Sequence, residues 1–205
     1  LSTVGSRVFY RCASLSITRL PEALTSIPIC CFYDCTNLRL DRLPESVTSI
    51  GSYSFYNCSI MTLSYLPSGY TSIAAYTFFN GTGLTLSSLP DNMTYVGQHA
   101  FENCTNITLA SLPPNLTRIG AFAFNNCTKI TISEIPATTR EINTYAFANC
   151  TGITSLIFGS SLTFVSDFSL IGCTNITTIT INKSPNTLAY APWGAVNATI
   201  IWTEP

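Results

Sequence analysis

The chain has 205 residues, with 9 Lys and Arg against 10 Asp and Glu, a formal charge of -1, and charged side chains at only 9%. That excludes most nucleic-acid readers, because phosphates are neutralised by clustered Lys and Arg and no basic patch with interleaved aromatics occurs. Disorder is excluded too, since 46% hydrophobic and 12% aromatic residues bury enough surface to offset ordering entropy over a length ample for one domain. Polarity comes instead from 29 Thr, 23 Ser and 15 Asn.

The first residues, Leu1 to Gly5, begin in mid-repeat, and no charged leader or apolar span follows them. The chain therefore reads as a processed or excised piece of something longer, without direct membrane insertion. Nine cysteines are an odd number, so at least one thiol is expected to be free or paired outside the chain.

Seven of the nine, Cys12, Cys35, Cys58, Cys104, Cys127, Cys150 and Cys173, fall on one lattice of 23 residues whose vacant node is Gly81. Three residues before the nodes come Phe9, Phe32, Phe55, Phe78, Phe101, Phe124 and Phe147, then Leu170. Eight before come Val4, Ile27, Ile50, Ile73, Val96, Ile119, Ile142 and Val165. Apolar residues also recur three after the node (Leu15 to Ile176) and eight after it (Leu20 to Ile181). Self-similarity at this period means a solenoid, in which each coil buries its apolar face on its neighbours.

Within a unit, Ile107 and Leu109 alternate around Thr108, the period of a half-buried strand. Pro113 then enforces a turn, a second extended stretch runs from Leu116 to Ile119, and the small and aromatic residues from Ala121 to Cys127 predict a short helix or 3₁₀ turn on the outer side. The last two units change phase. Leu156 and Ile179 take over the buried position one residue late, and Gly159 and Asn182 replace Pro, so the strand is expected to move towards Leu156 to Phe158 and Ile179 to Ile181. The period ends there, and the tail with Trp193 and Trp202 predicts a cap over residues 183–205 on a solenoid spanning 1–182.

Units such as Leu43-Pro-Glu-Ser-Val-Thr-Ser-Ile-Gly-Ser-Tyr-Ser-Phe-Tyr-Asn-Cys58 and the corresponding stretch from Leu112 to Cys127 resemble the BspA-like leucine-rich repeat, a bacterial class of 23 residues. The likeness runs from Val4 to about Ile181, and the tail from Ala191 to Ile200 is similar to C-terminal ends of such proteins. It implies a right-handed leucine-rich-repeat solenoid of about eight coils with short parallel β-strands and short helical or 3₁₀ turns outside. It also implies secreted or surface-attached proteins, some with a part in adhesion. No catalytic or ligand residue carries over from it. Gly81, the extra Cys30 and Cys31, and the shifted last units depart from the pattern.

Successive lattice cysteines fall within disulfide range, yet metal sites want closely spaced pairs and His, and His99 is the single histidine. The cysteines therefore read as a buried column of small hydrophobes, while Cys30 is expected to be exposed and reactive. The Asn before five of the eight nodes (Asn57, Asn80, Asn103, Asn126, Asn149) serves either as a glycosylation acceptor or, the favoured reading, as a column whose amides satisfy turn backbone. An aromatic stripe of Tyr53, Tyr76, Phe122, Tyr145 and Phe168 is either a contact surface or turn-on-turn packing.

The leading candidate for binding is the exposed strand face, with Arg39, Thr62, Thr85, Thr108 and Thr131 in one column and Asp41, Ser64, Ser87 and Ser133 in another. Arg19 and Arg42 flank it, and nine of the 19 charges lie in the first 45 residues. The plain alternative is that hydroxyl residues merely suit exposed strands. No catalytic constellation, metal-ligating set or cofactor motif is legible, so the expected class is not an enzyme. It is an extracellular or cell-surface binding and adhesion module for a host or microbial protein or glycan. The alternative is a spacer in a larger surface protein with no ligand of its own.

Overall fold

A residue that recurs every 23 positions lies over its own copy when the chain completes one coil per period. The computed structural model, which describes residues 2–185 and 187–203, shows this arrangement. Every strand pairing is parallel and joins one coil to the next. The most regular row lies eight and nine residues before the nodes. It comprises β1 (Ser26–Ile27), β2 (Ser49–Ile50), β3 (Ser72–Ile73), β4 (Tyr95–Val96) and β5 (Arg118–Ile119). After β6 (Glu134–Ile135), it continues with β7 (Glu141–Ile142) and, beyond β8 (Ser155–Phe158), β9 (Phe164–Val165). Register is strict, with Ile73 over Val96, Val96 over Ile119 and Ile119 over Ile142. The row breaks between β2 and β3. There the column filled by Leu24, Val47 and Met93 holds Tyr70, whose hydroxyl donates to the Ile50 carbonyl at 3.4 Å and takes the place of a backbone donor.

The stretch after the node, expected to carry the main strand, is less regular through the middle coils. One hydrogen bond per coil joins it to its neighbour, as from Thr108 N–H to Leu86 C=O at 2.8 Å and from Thr131 N–H to Leu109 C=O at 2.8 Å. Proline is the cause. Pro113 and its equivalents follow directly and have no N–H to extend the ladder. Where the late units lack that Pro the ladder lengthens to four residues in β8 and in β10 (Thr178–Ile181), with Leu156 under Ile179 and Phe158 under Ile181. The Asn182 N–H, which Pro would lack, donates to Phe158 C=O. The phase change expected from Leu156 and Ile179 is therefore real. Beyond it, β11 (Thr199–Trp202) adds to β10 in register, and Trp193 is fully buried with its indole N–H on Ala189 C=O at 2.7 Å.

The outer side differs from expectation. Among the described residues it forms no helix and no 3₁₀ segment but consecutive turns. Cys31 N–H donates to Pro28 C=O and Cys35 N–H to Phe32 C=O, each turn having a left-handed residue at its third position, Cys30 (φ 54°) and Asp34 (φ 56°). That is the type II signature. It repeats through Tyr53 and Asn57 to Tyr145 and Asn149. A helix fails because alternate N–H groups point along the solenoid axis: Phe122, Phe124 and Asn126 donate to Thr144, Ala146 and Ala148 of the next coil at 2.9, 2.8 and 2.8 Å. Coils approach closely enough that a Cβ on Gly120 would lie 2.6 Å from Gln98 N.

The core runs down the axis. Phe9, Phe32, Phe55, Phe78, Phe101, Phe124 and Phe147 stack in one column with centroids 5.2–5.6 Å apart. Around it lie the Ile, Leu and Met columns read from the period, buried from the second coil onwards.

Candidate binding surfaces

Coil stacking places the hydroxyl columns by geometry alone. Thr62, Thr85, Thr108 and Thr131 each donate their N–H to the preceding coil, so their side chains emerge one per coil, about 4.8 Å apart. All four are exposed, as are Arg39 at the head of the column and Asp41, Ser64, Ser87 and Ser133 in the next. Arg19 is exposed at the same end, and half-buried Arg42 pairs with Glu22 at 2.7 Å. Stacking in register thus sets the four Thr in one exposed row with Arg39 at its head.

The aromatic stripe is a stack. Tyr53, Tyr76, His99, Phe122, Tyr145 and Phe168 lie ring over ring, with centroids 4.5, 4.3, 4.6, 4.7 and 5.7 Å apart. His99 is a member of it, and its Nδ1 also meets the Glu102 carboxylate. A second column, two residues before the node, was not singled out in the sequence: Tyr10, Tyr33, Tyr56 and Phe79 stack at 4.8, 4.5 and 4.7 Å beside the first. The signal was present, but Glu102, Asn125 and Ala148 end the series at coil five. Since ring faces are taken up by neighbouring rings, these columns offer edges and hydroxyls to a partner, not flat stacking platforms.

All nine cysteines are free, and eight are buried. Each lattice thiol from the second coil on reaches a carbonyl of the coil before, Cys127 Sγ to Phe101 O at 3.1 Å and Cys150 Sγ to Phe124 O at 3.1 Å. Burial drives the pKa of Cys35 up to about 11 and those of Cys31 and Cys173 to about 12, and raises those of Cys58, Cys104, Cys127 and Cys150 as well. The expectation for Cys30 is corrected: it is only 8% exposed, its short side chain remaining below the surface made by the longer ones in its column. Cys12 is the exposed thiol. A thiol reagent is therefore expected to label Cys12 in native protein and all nine cysteines after denaturation. Rapid labelling of most thiols in the native state contradicts the buried column.

The Asn column also differs in detail. Left-handed φ values of 58–62° at Asn57, Asn80, Asn103, Asn126 and Asn149 explain the residue type. The amides, however, join side chain to side chain: Asn103 donates to Asn80 at 2.7 Å and Asn126 to Asn103 at 3.0 Å. Among the described residues no three His, Cys, Asp or Glu gather into a possible metal site, and no helix is long and apolar enough to cross a membrane.

The repeat geometry has a counterpart among known families. The model of the BspA type leucine rich repeat region, which has six copies of the repeat, matches residues 2–131 and 71–192. The chain belongs to this family. A leucine-rich repeat protein of T. pallidum is similar over 75% of this chain and 72% of its own, at 26% identity and a TM-score of 0.62. A leucine-rich cell surface protein of Faecalibacterium prausnitzii shares the fold over 98% of this chain and 69% of its own, at 21% identity and a TM-score of 0.51. No curated protein matches the chain.

Proposed function

We propose that this BspA-type chain is an extracellular or cell-surface binding and adhesion module, taking a host or microbial protein or glycan on the exposed hydroxyl face. The observation that carries the reading is the unbroken run Thr62, Thr85, Thr108 and Thr131, held in register by inter-coil hydrogen bonds and exposed throughout. A face fixed by backbone bonds loses little conformational entropy when it binds. Its low charge favours hydrogen-bonded contacts over electrostatic capture. Membership of the BspA-type family and the fold shared with a cell surface protein support the setting.

A surface screen against matrix proteins, mucins and glycans tests this. The expected result is a ligand whose affinity falls at least tenfold when Thr85→Lys and Thr108→Lys are introduced together. Binding that survives the pair moves the site elsewhere. A screen without any ligand, in a protein where the solenoid alters only the reach of its neighbours, favours the spacer.

A further inference from the structure

Beside the hydroxyl face each of the first six coils turns at a proline, and this edge is grooved. A depression of about 230 Å³ lies between coils three and four, lined by residues including Tyr65, Leu66, Ser88 and Pro90. A second, of about 370 Å³, lies between coils five and six, with Ser111, Leu112, Glu134 and Pro136 in its lining. The two are equivalent. Leu66 and Leu112, and likewise Pro90 and Pro136, are counterparts two coils apart. The same edge gathers five of the ten carboxylates, Glu22, Asp41, Glu45, Asp91 and Glu134, all exposed. Arg19 and Arg42 oppose them, and Arg42 is held by Glu22.

We propose that this edge docks a basic, proline-rich segment of a partner protein in the polyproline II conformation, running along the solenoid axis. The inference rests on the reading of the chain as a binding module and names the class of partner. Pitch decides between ligand shapes. Two coils advance about 9.6 Å, and one turn of polyproline II, three residues at about 3.1 Å, advances about 9.3 Å. An α-helix at about 5.4 Å per turn and a β-strand at about 6.8 Å per two residues drift out of step within a few coils. A polyproline II segment thus sets two side chains, three residues apart, into the two depressions. Its carbonyls have no internal partners, and the hydroxyls of Tyr65, Ser88 and Ser111 stand along the groove as donors. Basic residues between the prolines meet Asp91 and Glu134, charge complementarity that also sets the orientation.

The test uses the whole chain and a fluorescently labelled synthetic peptide of four Arg-Pro-Pro triplets, followed by anisotropy, beside a peptide of four Arg-Gly-Ser triplets with equal charge. The Arg-Pro-Pro peptide is expected to bind at least tenfold more tightly. Asp91→Lys with Glu134→Lys, both exposed and checked for an unchanged circular dichroism spectrum, is expected to weaken it at least tenfold. Thr85→Gln with Thr108→Gln, outside the groove, is expected to leave it unchanged. Equal affinity for the two peptides reduces the groove to a charge effect and overturns the inference, as do indifference to the charge reversal, loss on the Thr substitutions, and absence of binding. If the peptide fails while a ligand is still found for the hydroxyl face, only the groove is wrong.

Discussion

Replacing Ile119 by Asp is expected to melt the middle of the solenoid. Ile119 is fully buried in β5, with Val96 and Ile142 as its register partners on either side. Even as a neutral acid the new carboxyl lacks a partner, at a cost of roughly 2–7 kcal/mol, and the lost side chain adds a packing term of similar origin to the 2–5 kcal/mol of large-to-small core changes, roughly estimated. The sum is comparable with the whole stability of an ordinary domain, about 5–15 kcal/mol. Because each coil contacts only its neighbours, the opening starts at coil six and leaves two shorter stacks. Thermal melts at neutral and mildly acidic pH measure it. Protonation favours the buried acid, so the variant recovers part of its melting temperature as the pH is lowered. A variant as stable as the parent at pH 7 contradicts the core assignment.

Phe101→Ala is the second large effect. Phe101 stacks on Phe78 at 5.4 Å and on Phe124 at 5.5 Å, with interplanar angles of 8° and 13°, and it is fully buried. Removing the ring costs about 3–5 kcal/mol and takes away two stacking contacts at once. Phe9→Ala is the informative comparison. Phe9 is only partly buried and stacks on Phe32 alone, so its loss is expected to cost less than half as much in chemical denaturation. Equal losses at the two positions contradict a stack whose strength comes from neighbours on both sides.

The columns of this core were legible because each is chemically uniform. Seven Phe, or eight Ile and Val, at fixed offsets need no alignment to be seen. The inner column of Leu24, Val47, Tyr70, Met93, Leu116, Thr139 and Leu162 was not picked out, since its members share burial and little else. At Thr139 that burial is made tolerable by a hydrogen bond to the Leu116 carbonyl at 2.8 Å. The helical expectation for the outer side failed for another reason. Residue types such as Tyr53, His99 and Phe122 do not announce a left-handed backbone, which is imposed by the N–H groups turning towards the next coil. The hydroxyl face was readable as soon as the alternation around Thr108 was, because pointing away from the core follows from period alone. The groove was not. It arises where the proline turns of adjacent coils meet, a shape that no single unit contains.

The hydrogen bonds between coils run along the solenoid, from Thr131 to Leu109, from Phe124 to Ala146 and between the paired strands, in several rows at each junction. A tensile load applied along that axis is carried by all the junctions in series, so the weakest parts first while the others remain closed. Each coil set free unspools 23 residues, roughly 80 Å of slack at full extension. Under such a load the stack is expected to lengthen in steps of one coil, which single-molecule stretching measures.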